Sequence, residues 1–180
     1  MADRAWRLVI AASALSGVVL AAHRYDVWWT ALSQLANLAV GAAFLALAFH
    51  EPRSPWLRGA LASTMLLVAL AYLPMANGNL LQPWSVLEHV LTPALVVTDY
   101  VVLGENVHRV RWWYPVSWLA APAAYLFWYV DADLGVYSAL DPNRPSSFLL
   151  RVAALLALLL VAGFACYGTG VRRRRGTLAP

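Results

Sequence analysis

Apolar runs recur along the chain with short polar connections between them. They fall at about residues 6–22, 27–49, 56–76, 83–103, 112–130 and 148–167. A helix needs about 20 residues to cross the hydrocarbon core of a bilayer. The pattern predicts an all-α, polytopic membrane protein, a bundle of six transmembrane helices over residues 1–171, followed by a basic tail at 172–180. The connections carry helix-breaking chemistry. HEPRSP at 50–55 holds two prolines, NGNLLQP at 77–83 is an uncharged turn, and ENVHRVR at 105–111 is polar and basic. Residues 131–147 form the longest connection, acidic and proline-bearing. The first run has the outline of a signal peptide, with Arg4 and Arg7 about its start and Ala21 and Ala22 at its end. It is expected to be a retained first helix, and the tail to be disordered.

Composition agrees with this pattern. Hydrophobic residues make up 62% of the chain and charged residues 12%, with a mean hydropathy of +0.62. Soluble domains carry about 25% charged residues. All 13 basic residues are arginine, and their placement sets an orientation. Arg4, Arg7, Arg53, Arg58, Arg109, Arg111 and Arg172, Arg173, Arg174 and Arg175 fall on one side of the predicted bundle. Arg24, Arg144 and Arg151 fall on the other. Positive-inside bias then places both termini in the cytoplasm of a multi-pass cell-membrane protein. The net charge of +4 is accounted for by this topology, so no nucleic-acid partner is implied. Trp6, Trp28, Trp29, Trp56, Trp84, Trp112 and Trp113 lie near predicted helix ends, as interfacial belts require. Cys166 is the single cysteine, so an intramolecular disulfide is excluded.

Ionisable groups inside an apolar run are costly and point to function. The fourth run carries Glu88, His89 and Asp99, and His89 is the one histidine within such a run. It lies roughly 9 Å inside the segment on the helix rise. The second run carries Thr30, Ser33, Gln34, Asn37 and Gly41, a spacing that keeps them on one helix face. Ser85, His89, Thr92, Val96 and Asp99 form the matching stripe on the fourth. Thr30, roughly 5 Å deep on the same measure, sits near the level of His89. A hydroxyl and an imidazole at one depth can form a nucleophile and its base. The plainer reading is that these polar side chains hold helices together by hydrogen bonds. Asp99 lies about 15 Å along the helix from His89 and is expected to be a structural polar residue paired with an arginine. Asp131 and Asp133, at the outer end of the fifth run, are better placed than Asp99 to reach the level of His89, with ordinary solvated loop acids as the alternative. A zinc site needs about three protein ligands, so no metal or other cofactor is implied.

Several short motifs stand in order on these helices. The second reads WTALSQ, with Thr30, Ser33 and Gln34. The fourth reads EHVLTPALVVTDY, with His89, Pro93, Asp99 and Tyr100. The fifth carries Pro122 and Tyr125 as PxxY, and the next connection reads GVYSALDP, with Tyr137 and Asp141. The chain resembles the androgen-induced and androgen-dependent six-helix membrane protein family and its bacterial branch, over most of its length. The family's helix 2 typically reads FTxxSN and its helix 4 HxxxPxxxxxD; Trp29 and Gln34 depart from the first of these. The resemblance implies intramembrane hydrolysis of fatty acid esters of hydroxy fatty acids, with Thr30 as nucleophile and His89 as general base. Ser33, Gln34, Asn37, Ser85, Thr92 and Tyr125 are then the candidates for contacting substrate or oxyanion, and a lipid is the expected partner. A lipid-binding or transport protein without catalysis is the alternative. A haem-binding bundle would need a second axial ligand at depth, and a rhomboid-like protease its GxSG serine loop. A five-helix Trp-rich sensor is disfavoured by the sixth apolar run.

Overall fold

The computed structural model describes residues 2–75, 80–104 and 106–178. Ala76, Asn77, Gly78 and Asn79, expected to end the third helix and turn the chain, lie outside the described residues, as do Glu105 and the last two residues of the tail. Among the described residues the chain is all-α, with six main helices. They are α1 (Ala2–Arg24), α2 (Leu32–Leu47), α3 (Trp56–Met75), α4 (Pro83–Leu103), α5 (Ala120–Asp131) and α6 (Pro145–Leu178). Three of them, over Asp3–Arg24, Pro83–Leu103 and Pro145–Arg174, are long and apolar enough to cross a membrane, with mean hydropathies of 1.8, 1.5 and 2.5.

The boundaries differ from the sequence expectation in three places. The second helix starts at Leu32 rather than at residue 27. Before it stands a single 3₁₀ turn, Trp28–Thr30, and then Ala31 with extended backbone, φ −91° and ψ 139°. Thr30 therefore lies outside α2 and cannot share a helical face with Ser33, Gln34 and Asn37. The fifth helix is interrupted: one turn, Tyr114–Ser117, precedes Ala120–Asp131, with a break at Trp118 and Leu119. The last helix does not stop at residue 167, and the expected disordered tail is helical as far as Leu178. Arg173 donates to the carbonyl of Gly104 at 2.6 Å, and Arg174 to those of His108 and Val110 at 2.9 and 2.8 Å. Pairing with another segment's carbonyls gives the basic tail a surface to extend along.

Helix α4 is not a uniform α-helix. Leu87–Leu91 and Asp99–Leu103 are π-helical, with Thr92 N–H reaching the carbonyl of Leu87 and Gly104 N–H that of Asp99 at 2.8 Å. Pro93 gives a cause for the first widening. A proline ring clashes with the carbonyl four residues back, here that of His89, and donates no hydrogen bond to it. An added residue in the preceding turn relieves that crowding.

The core lies among α1, α2, α3 and α4, built on Ile10, Val40, Phe44, Met65, Tyr100 and the indole of Trp118. Small residues let the helices approach, as is usual where apolar solvent gives no drive for association. A Cβ on Gly17 of α1 would sit 2.9 Å from Glu88 Cγ and 3.3 Å from Leu87 Cβ in α4. A Cβ on Gly59 of α3 would overlap the ring of Trp118.

Polar contacts tie the helix ends into two groups. At one end Glu51, in the α2–α3 connection, meets Arg7 of α1 and Arg58 of α3, each at 2.7 Å. Arg58 also pairs with Asp99 of α4, and Asn106 donates to Glu51 at 3.0 Å. At the other end Tyr25 packs edge-on against Trp84 with ring centroids 5.4 Å apart. There the Tyr137 hydroxyl accepts from Leu32 N–H at 2.9 Å, and the Tyr125 hydroxyl donates to the Thr30 carbonyl at 2.8 Å. Successive helices thus run antiparallel between the two ends.

Candidate functional site

The second end of the bundle holds a cavity of about 460 Å³. All six helices contribute to its wall. Leu67, Val68, Leu126, Leu155, Leu156 and Leu159 make an apolar body, and Thr30, Ser33, Gln34, His89, Tyr125 and Tyr137 supply polar groups. The volume falls in the usual range for small-molecule sites, about 300–1,000 Å³.

His89 is fixed from three directions. Its Nδ1 lies 3.1 Å from the carbonyl oxygen of Ser85, one helical turn back. A carbonyl only accepts, so Nδ1 carries the hydrogen of the neutral ring, leaving the lone pair on Nε2. The ring of Tyr72 stacks on the imidazole, with centroids 3.6 Å apart and planes 22° from parallel. Trp84 meets it edge-on at 6.1 Å. Such an imidazole is held in one orientation and one tautomer, as a general base requires.

Thr30 lies in the 3₁₀ turn at the cavity wall, half-buried. Its hydroxyl donates to the Val27 carbonyl at 2.8 Å. That bond satisfies the hydroxyl hydrogen within its own turn, and Thr30 and His89 are both among the residues that line the cavity.

The other residues singled out by sequence divide into two groups. Ser33 and Gln34, in the first turn of α2, line the cavity. Ser33 donates to Gln34 Oε1 at 3.1 Å, and Gln34 Nε2 donates to Glu88 Oε2 at 3.1 Å. Glu88 itself is fully buried, away from the cavity wall and behind Gln34. Tyr125 lines the cavity as well, and its hydroxyl donates to the Thr30 carbonyl. Asn37, Ser85 and Thr92, the other candidates for contacting substrate, are not among the residues that line it. Asn37 gives its amide hydrogens to the carbonyls of Ser33 and Glu88, at 2.9 and 3.4 Å. Ser85 donates to the Tyr72 hydroxyl at 2.8 Å, and the hydroxyls of Thr92 and Ser13 lie 2.9 Å apart between α4 and α1. The π-helical turn at Leu87–Leu91 offsets what an unbroken α-helix would align, so Thr92 does not follow His89 into the cavity. Asp131 and Asp133 are exposed and stay off the cavity wall. Asp99 is at the opposite end of the bundle, against Arg58.

Three residues that shape the site were not assigned to it from sequence. Tyr72 lies inside an apolar run with nothing around it to mark its contact with His89. Glu88 was legible as a buried acid, but its link to the cavity through Gln34 depends on helix packing. Tyr137 comes from the α5–α6 connection, where Asp133 and Gly135 take positive φ, 46° and 59°. Its hydroxyl satisfies the Leu32 N–H that the start of α2 leaves open, since Ala31 provides no side-chain cap. Burial pushes the Tyr137 phenol above the ordinary tyrosine range, so it remains a neutral partner for that amide.

Among the described residues no group of three or more His, Cys, Asp or Glu is placed to hold a metal ion. Comparison with protein families, with curated proteins and with solved structures finds no match for the chain.

Proposed function

We propose that the protein is a six-helix intramembrane hydrolase of lipid esters, with Thr30 as nucleophile and His89 as general base. The observation that carries this reading is that both residues line one largely apolar cavity, with His89 held in the tautomer that leaves Nε2 free. The Thr30 hydroxyl exchanges its bond to Val27 for one to His89 Nε2. It then attacks the ester carbonyl carbon as its proton passes to the imidazole. The tetrahedral intermediate collapses, the C–O bond to the alcohol breaks, and the imidazolium returns the proton to the departing oxygen. Water, deprotonated by the same ring, then releases the acid from the acyl-threonine. Gln34 is the oxyanion donor in this scheme, through the amide hydrogen that Glu88 does not take. The acyl chain occupies the leucine-lined body of the cavity. The reading agrees with the family resemblance in the sequence, whose members look like Thr/His hydrolases of fatty acid esters of hydroxy fatty acids. It places the bundle as a multi-pass protein of the cell membrane, both termini cytoplasmic.

A lipid-binding or transport role without catalysis is the second reading. The resting bond between Thr30 and Val27 favours it, because that hydroxyl is not engaged by a base. A fluorophosphonate probe separates the two. Under the hydrolase reading it attaches to the peptide containing Thr30, and Thr30→Ala removes the adduct. His89→Ala slows labelling by about 10²- to 10⁴-fold, the usual contribution of a general base. Absence of any adduct on the folded wild-type protein, together with absence of ester turnover, would leave the binding role standing.

A further inference from the structure

The polar rim of the cavity has a one-sided charge. Among the described residues, Arg24, at the C-terminal end of α1, is the one cationic side chain ordinarily charged at neutral pH that lines it, and no aspartate or glutamate does. Arg24 is exposed and makes no ion pair among the described residues. The rim adds further donors. Gln82 lines it beside Trp84, whose indole N–H is buried and has no hydrogen-bond acceptor among the described residues. Below these groups the wall turns apolar, through Leu67, Leu126 and the α6 leucines. Donors and a guanidinium above a hydrocarbon-lined body match an amphiphile with a negative head and an alkyl tail. A guanidinium binds carboxylate or phosphate oxygens through paired N–H groups.

We propose that the rim around Arg24 binds the anionic head group, carboxylate or phosphate, of an amphiphile whose alkyl chain fills the cavity. The site selects for charge at the head of the ligand. It shares the cavity with the hydrolase reading but does not depend on its chemistry. Neutral amphiphiles of equal chain length enter the same space without the guanidinium contact.

The test uses the full chain in phosphatidylcholine nanodiscs, with a diazirine-bearing palmitic acid as photoaffinity probe. Palmitate, palmityl alcohol and palmityl phosphate compete for labelling. A charge-assisted hydrogen bond at an exposed site gives about a tenfold preference. Palmitate should therefore displace the probe at about one-tenth the concentration that the alcohol needs. Arg24→Gln should erase that difference, and Arg24→Lys, which keeps the charge but not the paired N–H groups, should retain part of it. The phosphate arm separates the two head groups: a lower displacing concentration than that of palmitate assigns a phosphate site, a higher one a carboxylate site. Equal competition by acid and alcohol in the wild type would overturn the proposal. So would an acid preference that survives Arg24→Gln, as a merely solvated interfacial arginine predicts. Binding is read without turnover, so a cavity that discriminates acid from alcohol yet hydrolyses nothing refutes the hydrolase reading alone.

Discussion

At the scale of single residues, chemistry and packing are separated by one turn of helix. Gln34 and Thr92 both stood on polar stripes that sequence periodicity directs toward one interior. Gln34 reaches the cavity, whereas Thr92 bonds to Ser13 between α1 and α4. The two make opposite predictions. Gln34→Ala removes the proposed oxyanion donor and should lower ester turnover per folded molecule by about 10²- to 10³-fold. Thr92→Val removes one buried hydrogen bond and should cost about 1 kcal/mol of stability, with turnover per folded molecule unchanged. Rates normalised to the folded fraction check both. Equal losses of turnover would show that the stripe acts as one unit. His89 was legible because an imidazole within an apolar run needs a reason to be there. Its orientation was not, because Tyr72 and Trp84 reach it from distant parts of the chain. Thr30 was legible as a residue but not as an element: the extended Ala31 leaves it ahead of the helix it was expected to join.

At the scale of elements, apolar runs translate well into helices and poorly into their internal geometry. Hydrophobicity placed α1, α3 and α4 near their observed limits, since each must present an apolar surface over most of its length. It did not show the π-helical turns of α4, the break at Trp118, or the extension of α6 into the arginine-rich tail. Pro93 was a visible cause for one of these. The others depend on partners in space, such as the carbonyls that accept from Arg173 and Arg174. Close helix approach gives a direct test. Gly17 presses α1 against Glu88 and Leu87, whereas a Cβ on Gly168 of α6 would meet nothing within 4 Å. Gly17→Leu should force α1 away from α4 and cost about 1–3 kcal/mol, the usual penalty for overpacking. Gly168→Ala should be neutral or stabilising by up to about 1 kcal/mol, from helix propensity. Thermal unfolding in detergent reads both, and a Gly17→Leu protein as stable as wild type would show that α1 is free to shift.

At the scale of the whole molecule, charge divides the bundle into two unlike ends. One end gathers Arg7 and Arg58 around Glu51 and Asp99, and Arg173 and Arg174 around the carbonyls of Gly104, His108 and Val110. The other holds the cavity. Arg58 and Asp99 are each only 1% exposed, so neither charge is relieved by water. Asp99→Leu leaves the Arg58 guanidinium with Glu51 alone and should cost about 3–5 kcal/mol, as breaking a buried pair does. The double change Arg58→Met with Asp99→Leu removes both charges, leaves Glu51 with Arg7, and should recover most of that loss. Unfolding midpoints of the two proteins check the order. The same charges argue for orientation. Basic residues collect on the end that remains in the cytoplasm, and the arginine-rich end holds the start of α1 and the last turns of α6. A reporter fused after the C-terminus should therefore read as cytoplasmic. One inserted at Asn143, in the connection that caps the cavity end, should read as external. The cavity would then open toward the outer leaflet, and amphiphiles added to the outside of intact cells would reach Arg24 without crossing the bilayer. Matching readings from the two fusions, or an external C-terminus, would invert that access and with it the side from which any lipid ligand must come.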